Sequence, residues 1–342
     1  MKIAFELDKV QFGGAERVML TLIREFIKRG IDVVIYTFNK DLDVTKVPAR
    51  VIKIESTNKF QQIFETAHSL KKEKIDILVL FGLHTICFIA CQLSNIKYVY
   101  SLRNDPLQVR YNYIKKLIME KACSIIFQTN KIMNSFPSRL KTHPIVIYNP
   151  IMDDSLYDFS HNREKRIVVV ARHSEEKNIE LAIKAFSNIK RNGYILELYG
   201  EGPLTDKYKM MVDELSITKE VVFKGQVNRV IDYIYNADIL LLTSNFEGMP
   251  NALIEGMSNG LACISTKFPS GAAEELIKDG INGFTIEMND EVALTEKLQL
   301  LVTNGAVRKR IQEEAFKIRK ELSRDNIINQ WIALLSKIKL EK

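Results

Sequence analysis

The sequence has little cysteine, no long hydrophobic run and no enrichment in glycine or proline. Four cysteines are scattered through 342 residues, which favours buried thiols in a reducing compartment over disulfides or a metal site. The N-terminus, MKIAFELDKV, is too short and too charged for a signal peptide. The most apolar stretch, IDILVLFGLHTICFIACQL, falls short of a spanning helix and predicts a buried strand followed by a buried helix. We therefore expect a cytoplasmic protein, at most peripheral on the inner face of the cell membrane.

Two motifs that would indicate a different chemistry are also missing. The sequence has no G-x-G-x-x-G fingerprint, which counts against an NAD-dependent enzyme. Residues 151–342 have no D-x-D motif within a turn that ends a strand, and the acidic pair Asp153 and Asp154 falls in a predicted linker. We therefore expect no metal ion and no other cofactor.

Charge is divided unevenly between the two halves of the chain. Residues 1–150 hold 23 Lys and Arg against 13 Asp and Glu, whereas the remainder holds 26 against 29. The excess of positive charge in the first half indicates an anionic partner for that half. A nucleic acid, an anionic membrane surface and a phosphorylated acceptor all fit, and so does a plain solvated basic surface.

Short apolar runs alternate with amphipathic helical stretches along the whole chain. The first set of predicted strands is KIAFEL, DVVIYTF, RVIKIE, IDILVLF, IKYVYSL, CSIIFQ and PIVIY. GAERVMLTLIREFIKRG predicts a helix that starts near Ala15 and is closed by Gly30. This alternation is typical of a parallel sheet covered by helices on both faces.

The pattern restarts after residues 148–165, which have no period and are predicted to form a loop or linker. A second set of strands follows, comprising RIVVVA, YILELY, VVFKG, DILLLTS and LACIST. The last helical stretch, RDNIINQWIALLSKIKL, comes after the second sheet and could pack on either domain. The sequence therefore predicts two doubly wound α/β domains joined near residue 150.

Residues just after strands are the candidates for a site, because open α/β sheets bind ligands beyond the carboxyl ends of their strands. Gly13 and Gly14 follow the first strand and precede a helix, a position that favours an anion. A tight turn without a ligand explains them nearly as well. Arg172 and Lys177 follow RIVVVA and could hold a diphosphate, or they could be surface cations beside acidic neighbours.

The stretch NFEGMPNALIEGMSNG, residues 245–260, follows the strand DILLLTS. Glu247 falls in the turn, and NALIEGMSN predicts a short helix with Asn251 as its N-cap and Gly260 at its end. Glu255 lies one turn inside this helix, on the face predicted to return toward a cleft. Each carboxylate suits a pair of vicinal hydroxyls. The ligand that would use all these groups is a nucleotide-diphosphate sugar.

On these residues the sequence resembles the family 4 retaining glycosyltransferases of GT-B fold, of the kind that builds bacterial surface polysaccharides. The resemblance runs from GGAER to the final helix. Its most specific element is E-x7-E within SNFEGMPNALIEGMSNGLACIST, with support from ARHSEEKNIELAIKAF, YGEGP, VVFKGQV, NADILLLTS and EELIKDGINGF.

The resemblance implies two Rossmann-like domains that face each other across a cleft. The first, residues 1–150, would bind the acceptor and would be joined by the C-terminal helix, residues 324–342. The second, residues 151–323, would bind the nucleotide sugar.

The resemblance also implies roles for residues of the donor site. Arg172 and Lys177 would hold the donor diphosphate and, with Glu247, act in catalysis. Glu255 would bind the ribose hydroxyls, and Glu247 the sugar hydroxyls. The other donor-binding residues would be Gly14, which closes on the diphosphate from the first domain, Val227, whose backbone meets the base, and Gly248, Met249, Pro250, Asn251 and Ala252, which line the sugar and phosphate site.

One departure concerns the acceptor side. Many members of this family carry a histidine after the fifth strand of the first domain, beside the reacting carbon. Here VYSLRNDP offers Arg103 or Asn104 instead. His84, after DILVLF, could also reach the cleft, although it fits slightly better as an ordinary residue at a helix start. These three residues are the acceptor-side candidates.

The implied activity moves a hexose or an N-acetylhexosamine, with retention, from a nucleotide-diphosphate sugar to a glycan or a polyprenyl-diphosphate-linked acceptor. UDP is the family's common carrier, and no nucleic acid is expected as a partner. Front-face attack needs neither a protein nucleophile nor a metal, because the departing diphosphate takes the acceptor's proton while the protein stabilises its charge. The alternatives are a nucleotide-sugar epimerase of the same fold and a non-catalytic nucleotide-sugar-binding scaffold protein.

One stretch of the first half predicts contact with a membrane. LQVRYNYIKKLIMEK, residues 107–121, combines Arg110, Lys115 and Lys116 with Tyr111 and Tyr113. Cations beside amphipathic rings on a helix suit the headgroups of an anionic membrane. The alternative is an ordinary amphipathic helix packed on the first sheet.

Overall fold

The chain forms two compact units in the computed structural model, which describes residues 1–8, 14–82, 84–103, 113–137, 142–152, 159 and 163–341. The first unit comprises Met1–Met152 and Arg324–Lys342, and the second comprises Asp153–Ser323. Each unit contains its own parallel sheet.

Among its described residues, the first unit carries seven strands and, apart from the last helix of the chain, five helices. The strands are β1 (Lys2–Glu6), β2 (Asp32–Thr37), β3 (Arg50–Lys53), β4 (Ile77–Phe81), β5 (Lys97–Ser101), β6 (Ser124–Phe127) and β7 (Ile145–Val146). The helices are α1 (Gly14–Lys28), α2 (Lys59–Lys72), α3 (Thr85–Ser94), α4 (Tyr113–Glu120) and α5 (Asn130–Ser135). The sheet order is β3-β2-β1-β4-β5-β6-β7, with every pair parallel.

Local sequence explains why these elements form. All five residues of β4 are buried, as expected for a central strand of a parallel sheet with both faces covered. Gly30 adopts a φ of 73° just after α1, and its amide donates to the carbonyl of Ile27. A left-handed residue at this position stops a helix, so the predicted end of α1 is confirmed. The predicted strand and helix within IDILVLFGLHTICFIACQL are confirmed as β4 and α3.

The second unit carries six strands and eight helices among its described residues. The strands are β8 (Glu164–Val170), β9 (Ile195–Tyr199), β10 (Val221–Gly225), β11 (Ala237–Leu242), β12 (Ala262–Thr266) and β13 (Phe284–Ile286). The helices are α6 (Ile179–Asn188), α7 (Thr205–Glu214), α8 (Ile231–Ile234), α9 (Asn251–Ser258), α10 (Ala272–Leu276), α11 (Glu291–Thr303), α12 (Gly305–Phe316) and α13 (Ile318–Glu321). The order is β10-β9-β8-β11-β12-β13, again entirely parallel.

Two element boundaries differ from the sequence-based predictions. The predicted linker, residues 148–165, is too long at its end, because β8 already begins at Glu164. The first two residues of β8 are charged and exposed, so the apolar pattern in the sequence starts later than the strand does. The edge strand β13 was not predicted, because three residues are too few to show a period of two.

The last helix, α14 (Arg324–Leu340), belongs to the first unit. Its Trp331 is fully buried, and the indole stacks on the ring of Phe81 at the end of β4, with the centroids 5.9 Å apart. Lys339 Nζ lies 2.9 Å from a carboxylate oxygen of Asp76 just before β4. A buried aromatic anchor and a peripheral ion pair therefore fix this helix to the first sheet.

The cysteines are all unbridged, as predicted. Cys87, Cys91 and Cys263 are buried and Cys123 is half-buried. Burial raises the pKa of each of the three buried thiols, which keeps them protonated and unreactive. Across the described parts of the chain, no helix combines the length and the apolar character that crossing a membrane requires.

Candidate functional site

The second sheet reverses its strand order between β8 and β11, and the loops that follow these two strands meet. A 3-10 turn, Glu175–Lys177, follows β8, and Glu247 lies in the turn after β11. Lys177 Nζ is 2.8 Å from Glu247 Oε1. The hydroxyl of Ser244 donates to the same oxygen at 2.8 Å. A cation and a carboxylate are therefore joined at the topological switch point, where sheets of this kind bind their ligands.

Hydrogen bonds to the backbone hold the two loops in register. The amide of Asn245 donates to the carbonyl of Glu176 at 2.8 Å, and the hydroxyl of Thr243 donates to the carbonyl of Lys177 at 3.3 Å. The Lys177 and Glu247 side chains remain 21% and 16% exposed. Because water still reaches both charges, an incoming anion could take over the lysine at modest cost.

Arg172, the second predicted diphosphate ligand, lies two residues beyond β8 and is exposed. Burial alone would raise the pKa of the neighbouring Glu176 carboxyl. A hydrogen bond from Ser174 and the charges of Lys177 and Arg172 outweigh that effect and lower the pKa. The loop after β8 thus carries two cations and an ionised carboxylate. A contact between Arg172 and a diphosphate stays a prediction.

Helix α9 starts one residue earlier than predicted. Pro250 is its N-cap, with a φ of −76°, and Asn251 is the first helical residue, so the prediction of Asn251 as the N-cap is wrong. Proline's fixed φ and missing amide hydrogen suit a chain that is about to enter a helix. The hydroxyl of Ser270 donates to the carbonyl of Gly248 at 2.9 Å, which ties the preceding turn to the loop after β12. The amides of the first helical turn have no partners within α9, as in any helix.

The residues that surround this turn differ in how much of each reaches solvent. Met249 and Pro250 are buried, whereas Gly248, Asn251 and Ala252 are half-buried. The partly accessible residues therefore flank the start of α9, where a helix attracts negative charge.

Glu255 is 3% exposed within α9. Its helix packs closely on the sheet at the next residue, because a side chain at Gly256 would meet a methyl carbon of Leu240 at 2.8 Å. Glu255 is therefore a buried carboxylate on a tightly packed helix, unlike the partly exposed Glu247. The assignment of Glu255 to the ribose hydroxyls stays a prediction.

The loop after β10 holds Val227, the predicted contact for the base. Val227 is half-buried, and among the described residues neither its amide nor its carbonyl has a backbone hydrogen-bond partner. An extended segment with unused backbone groups can pair with the edge of a planar ring. The role of Val227 stays a prediction.

The glycines of YGEGP serve backbone packing. A Cβ at Gly202 would lie 2.4 Å from the carbonyl oxygen of His173, so only glycine lets the loop after β9 approach the loop after β8 so closely. His173 is fully buried, and its Nδ1 is 2.9 Å from the hydroxyl of Thr205. Burial lowers the pKa of its imidazole, which favours the neutral form. His173 was not predicted, although its place three residues after β8 was a usable signal.

The first sheet has its own switch point, between β1 and β4. Glu6, the last residue of β1, has a side chain only 1% exposed, and its Oε2 lies 2.6 Å from Nδ1 of His84. His84 is the N-cap of α3 and its side chain is 28% exposed. The structure thus brings the acceptor-side candidate His84 to a buried carboxylate that was not predicted. An acidic residue ending an otherwise apolar strand was the signal for it.

The other residues predicted in the first unit are placed differently. Arg103 is 8% exposed, its guanidinium lies 4.3 Å from the centre of the Phe81 ring, and it donates to Asn149 Oδ1 at 2.6 Å. No carboxylate pairs with Arg103 in the described residues, and burial lowers its pKa to about 9. Asn104 lies outside the described residues. Gly14 is the exposed first residue of α1, and its assignment to the donor stays a prediction.

The expectation of metal independence stays a prediction as well. Within the described ranges, no group of three His, Cys, Asp or Glu side chains is arranged to hold a metal ion. Asp153 and Asp154, the acidic pair of the predicted linker, lie outside those ranges.

Two parallel Rossmann-like sheets, each with polar groups at its switch point, define a protein of GT-B fold. Solved structures agree: a glycosyltransferase from Rickettsia africae aligns with a TM-score of 0.85 at 17% identity, covering 100% of this chain and 99% of that one. Anabaena HepE in complex with UDP aligns with a TM-score of 0.83 at 18% identity, covering 98% and 100%.

Two family models match in succession and account for most of the sequence. The model "Glycosyltransferase Family 4" matches residues 12–155, and "Glycosyl transferases group 1" matches residues 158–318. The chain therefore belongs to glycosyltransferase family 4, and the resemblance seen in the sequence is confirmed.

A curated relative from Campylobacter jejuni is similar over nearly its whole length. It is named GalNAc-alpha-(1->4)-GalNAc-alpha-(1->3)-diNAcBac-PP-undecaprenol alpha-1,4-N-acetyl-D-galactosaminyltransferase, and it is 26% identical over 99% of both chains.

Proposed function

We propose that this protein is a retaining, metal-independent hexosyltransferase of bacterial surface-polysaccharide biosynthesis. It takes a hexose or an N-acetylhexosamine from a nucleotide-diphosphate sugar, with UDP as the carrier, and transfers it to a glycan or a polyprenyl-diphosphate-linked acceptor. The Campylobacter relative, whose name includes a diphosphate-linked undecaprenol acceptor, supports this class of acceptor. HepE, solved in complex with UDP, supports the carrier.

The observation that carries the proposal is the pairing of Lys177 with Glu247 at the switch point of the second sheet, at 2.8 Å. Without donor, Glu247 keeps the ammonium group in place. With donor bound, the diphosphate takes the lysine's charge and Glu247 turns its oxygens to the hydroxyls of the sugar. Glu255, buried in α9, takes the ribose hydroxyls.

Transfer then needs a stabilised leaving group more than a protein nucleophile. Negative charge grows on the diphosphate as the glycosidic bond breaks, and in this proposal Lys177, Arg172 and the amides at the start of α9 stabilise it. The departing oxygen accepts the proton of the incoming hydroxyl, and attack from the same face retains the anomeric configuration.

The donor is identified by a screen of nucleotide sugars with ligand-observed NMR, run on the wild-type chain and on Lys177→Ala. We expect uridine diphosphate sugars to give the strongest signals and Lys177→Ala to weaken them. Lys207→Ala is the matched control, because Lys207 is a lysine of the same unit paired at 2.8 Å with a carboxylate, Glu180. A uniform absence of binding across the panel would contradict the proposal.

Two alternatives are separated from transfer by what they release. An epimerase of the same fold would interconvert nucleotide sugars without an acceptor, and a scaffold protein would bind them without turnover. The proposed transferase releases nucleoside diphosphate faster when a glycan or lipid-linked acceptor is added. An acceptor-independent change of the sugar would favour the epimerase.

The first unit is also proposed to dock on anionic membranes, at the inner face of the cell membrane. Of the predicted segment, residues 107–112 lie outside the described part of the chain, including Arg110 and Tyr111. The side chains of Tyr113 and Lys115 are not described either, and Lys116 is half-buried in α4.

Helix α2 offers a described surface for this role. Phe60 and Phe64 are 75% and 64% exposed and lie four residues apart, so they share one face. Lys59, Lys71 and Lys72 on the same helix are also exposed. Aromatic rings flanked by lysines suit an anionic bilayer, with a gain of about 1 kcal/mol per engaged lysine at low salt.

Co-sedimentation with phosphatidylglycerol vesicles tests the membrane proposal. We expect binding at low salt that weakens at high salt, and weaker binding for Phe60→Ser with Phe64→Ser. Met210→Ser is the control, since Met210 is 60% exposed on α7 of the second unit. Equal binding to neutral and anionic vesicles, or none to either, would favour a soluble acceptor.

A further inference from the structure

The ionisable residues at the switch point of the first sheet have no part in the donor chemistry of the second unit. Glu6 ends β1, Asp8 follows it, and His84 follows β4. The strand order reverses between β1 and β4, so these side chains lie where doubly wound sheets take their ligands. Their position in the fold is that of a site.

Glu6 and His84 differ in how far their side chains are buried. The Glu6 side chain is 1% exposed and that of His84 is 28% exposed, with Oε2 and Nδ1 2.6 Å apart. Among the described residues, neither oxygen of Glu6 has a hydrogen-bond partner of regular geometry, so the contact of Oε2 with His84 is a close ion pair. The carboxylate therefore faces the imidazole from the protein side, and only the imidazole reaches solvent.

The far side of the imidazole is left uncovered by a glycine. Gly82 adopts a φ of 107°, and a Cβ built on it would lie 3.8 Å from Nε2 of His84. Any side chain at this position would sit against Nε2 and would be strained by the left-handed backbone. Glycine at this position therefore avoids placing a side chain against Nε2.

A purely structural role explains this arrangement poorly. A buried carboxylate paired with a half-buried imidazole is no more stabilising than an apolar pair of the same volume, because desolvation offsets the attraction. Asp8, by contrast, has a clear structural role: it accepts from the amide of Phe38 at 2.7 Å and from the hydroxyl of Thr37 at 3.2 Å. Glu6 has no comparable bond to the backbone in the described residues.

We propose that Glu6 and His84 form a hydroxyl-binding subsite for the sugar that receives the transferred residue. Glu6 is the positioning residue: its carboxylate holds the proton on Nδ1, so the lone pair of Nε2 accepts a hydrogen bond from a hydroxyl of that sugar. This inference rests on the proposed transferase function and assigns the acceptor side of it.

The charges around the pair set its pH dependence. Burial alone would lower the pKa of His84, but the adjacent Glu6 carboxylate and the backbone carbonyl of Phe81, with a contribution from the charge of Asp8, raise it above 6.5. Burial raises the pKa of Glu6 above 4.5, against the effect of His84, and Asp8 adds to that rise. The buried thiol of Cys87 is a further titratable neighbour and stays neutral. The Nε2 lone pair is therefore lost at a higher pH than in an isolated histidine, and sugar binding weakens below the His84 pKa.

Nitrogen-15 NMR of the histidine rings tests the tautomer directly. The chain has five histidines, and the signals of His84 are assigned by their loss in His84→Asn. Above its pKa, wild-type His84 is expected to carry its proton on Nδ1, and Glu6→Gln is expected to lower its titration midpoint. His173, in the second unit, serves as the internal control and should be unchanged. A proton on Nε2 in the wild-type protein, which requires no variant, would overturn the inference.

Binding is tested with methyl glycosides of glucose, galactose, N-acetylglucosamine and N-acetylgalactosamine, each added in the presence of UDP. We expect at least one to shift the Nε2 signal and to bind roughly five- to tenfold more weakly to Glu6→Gln, as for the loss of one hydrogen bond. If none shifts Nε2, the subsite does not exist. UDP titrated into the same sample by calorimetry tests the donor proposal separately, so failure of the one is distinguished from failure of the other.

Discussion

The two sheets share a topology but treat the charges at their switch points differently. In the second unit the pair is Lys177 with Glu247, both partly exposed and joined across two loops. In the first unit the pair is His84 with Glu6, whose carboxylate is almost completely buried. The Lys177–Glu247 pair can open to admit an anion at little cost, whereas the Glu6–His84 pair is fixed and presents a single ring nitrogen.

This difference matches the two kinds of substrate that a glycosyltransferase must hold. A nucleotide diphosphate carries charge, so its site needs a cation that can change partner as the donor arrives. A receiving hydroxyl is neutral, and a preset hydrogen-bond acceptor is enough. The experiments that follow can break or sharpen this comparison.

The largest effect is expected for Lys177→Ala. The variant removes a charge that we propose stabilises the leaving diphosphate. The transition state should then lose about 2–4 kcal/mol of stabilisation, and kcat/KM should fall accordingly. Steady-state kinetics with far-UV circular dichroism as the folding control measures it. Lys207→Ala, the control, should leave the kinetics unchanged. Near-normal turnover of Lys177→Ala would mean that Lys177 and Glu247 form an ordinary surface ion pair.

A smaller effect is expected for Gly202→Ala, which tests whether YGEGP is packing rather than ligand contact. The new Cβ would lie 2.4 Å from the carbonyl oxygen of His173, so the free energy of unfolding should fall by about 2–3 kcal/mol. Gly305→Ala is the matched control, because its nearest neighbour lies 3.8 Å away, on Arg308. Urea unfolding should show the control unchanged or stabilised by up to about 1 kcal/mol. Equal stability of the two variants would refute the packing explanation.

The smallest effect is expected at Arg103, which tests whether the end of β5 is structural. Arg103→Lys keeps a buried charge but loses the planar stacking on Phe81 and Trp331, and should cost about 1–2 kcal/mol of unfolding free energy. Arg103→Met fills the space without a charge and should cost less. Thermal unfolding of both variants shows which of the two is the more stable. If both are as stable as wild type but lose activity, Arg103 contacts substrate and the two units are less different than proposed.

Much of the fold could be predicted from the sequence, because parallel strands with both faces covered are continuous apolar runs. β4 and β11 are entirely buried and were found for that reason. β13 was missed because three residues at a sheet edge show no period. The charged start of β8 was missed because it lies beyond the apolar core.

The donor side of the candidate site was more predictable than the acceptor side. Lys177 and Glu247 each follow a strand within a longer motif, and the structure brings them together. Glu6 was overlooked because a single acidic residue at the end of an apolar strand has no local partner in sequence. His84, which completes the pair, is 78 positions away, and only the parallel pairing of β1 with β4 makes them neighbours. Contacts of that range depend on topology rather than on local pattern.

The central claim is that the second unit holds a nucleotide-diphosphate sugar with Glu255 on the ribose and Glu247 on the sugar. Calorimetric titration of UDP into wild type, Glu255→Gln and Glu247→Gln tests it most directly. The account predicts that Glu255→Gln lowers the affinity for UDP by roughly tenfold, as for the loss of a charged hydrogen bond. Glu247→Gln should leave the affinity for UDP unchanged and should lower turnover. Unchanged UDP affinity in Glu255→Gln together with weakened affinity in Glu247→Gln would contradict it.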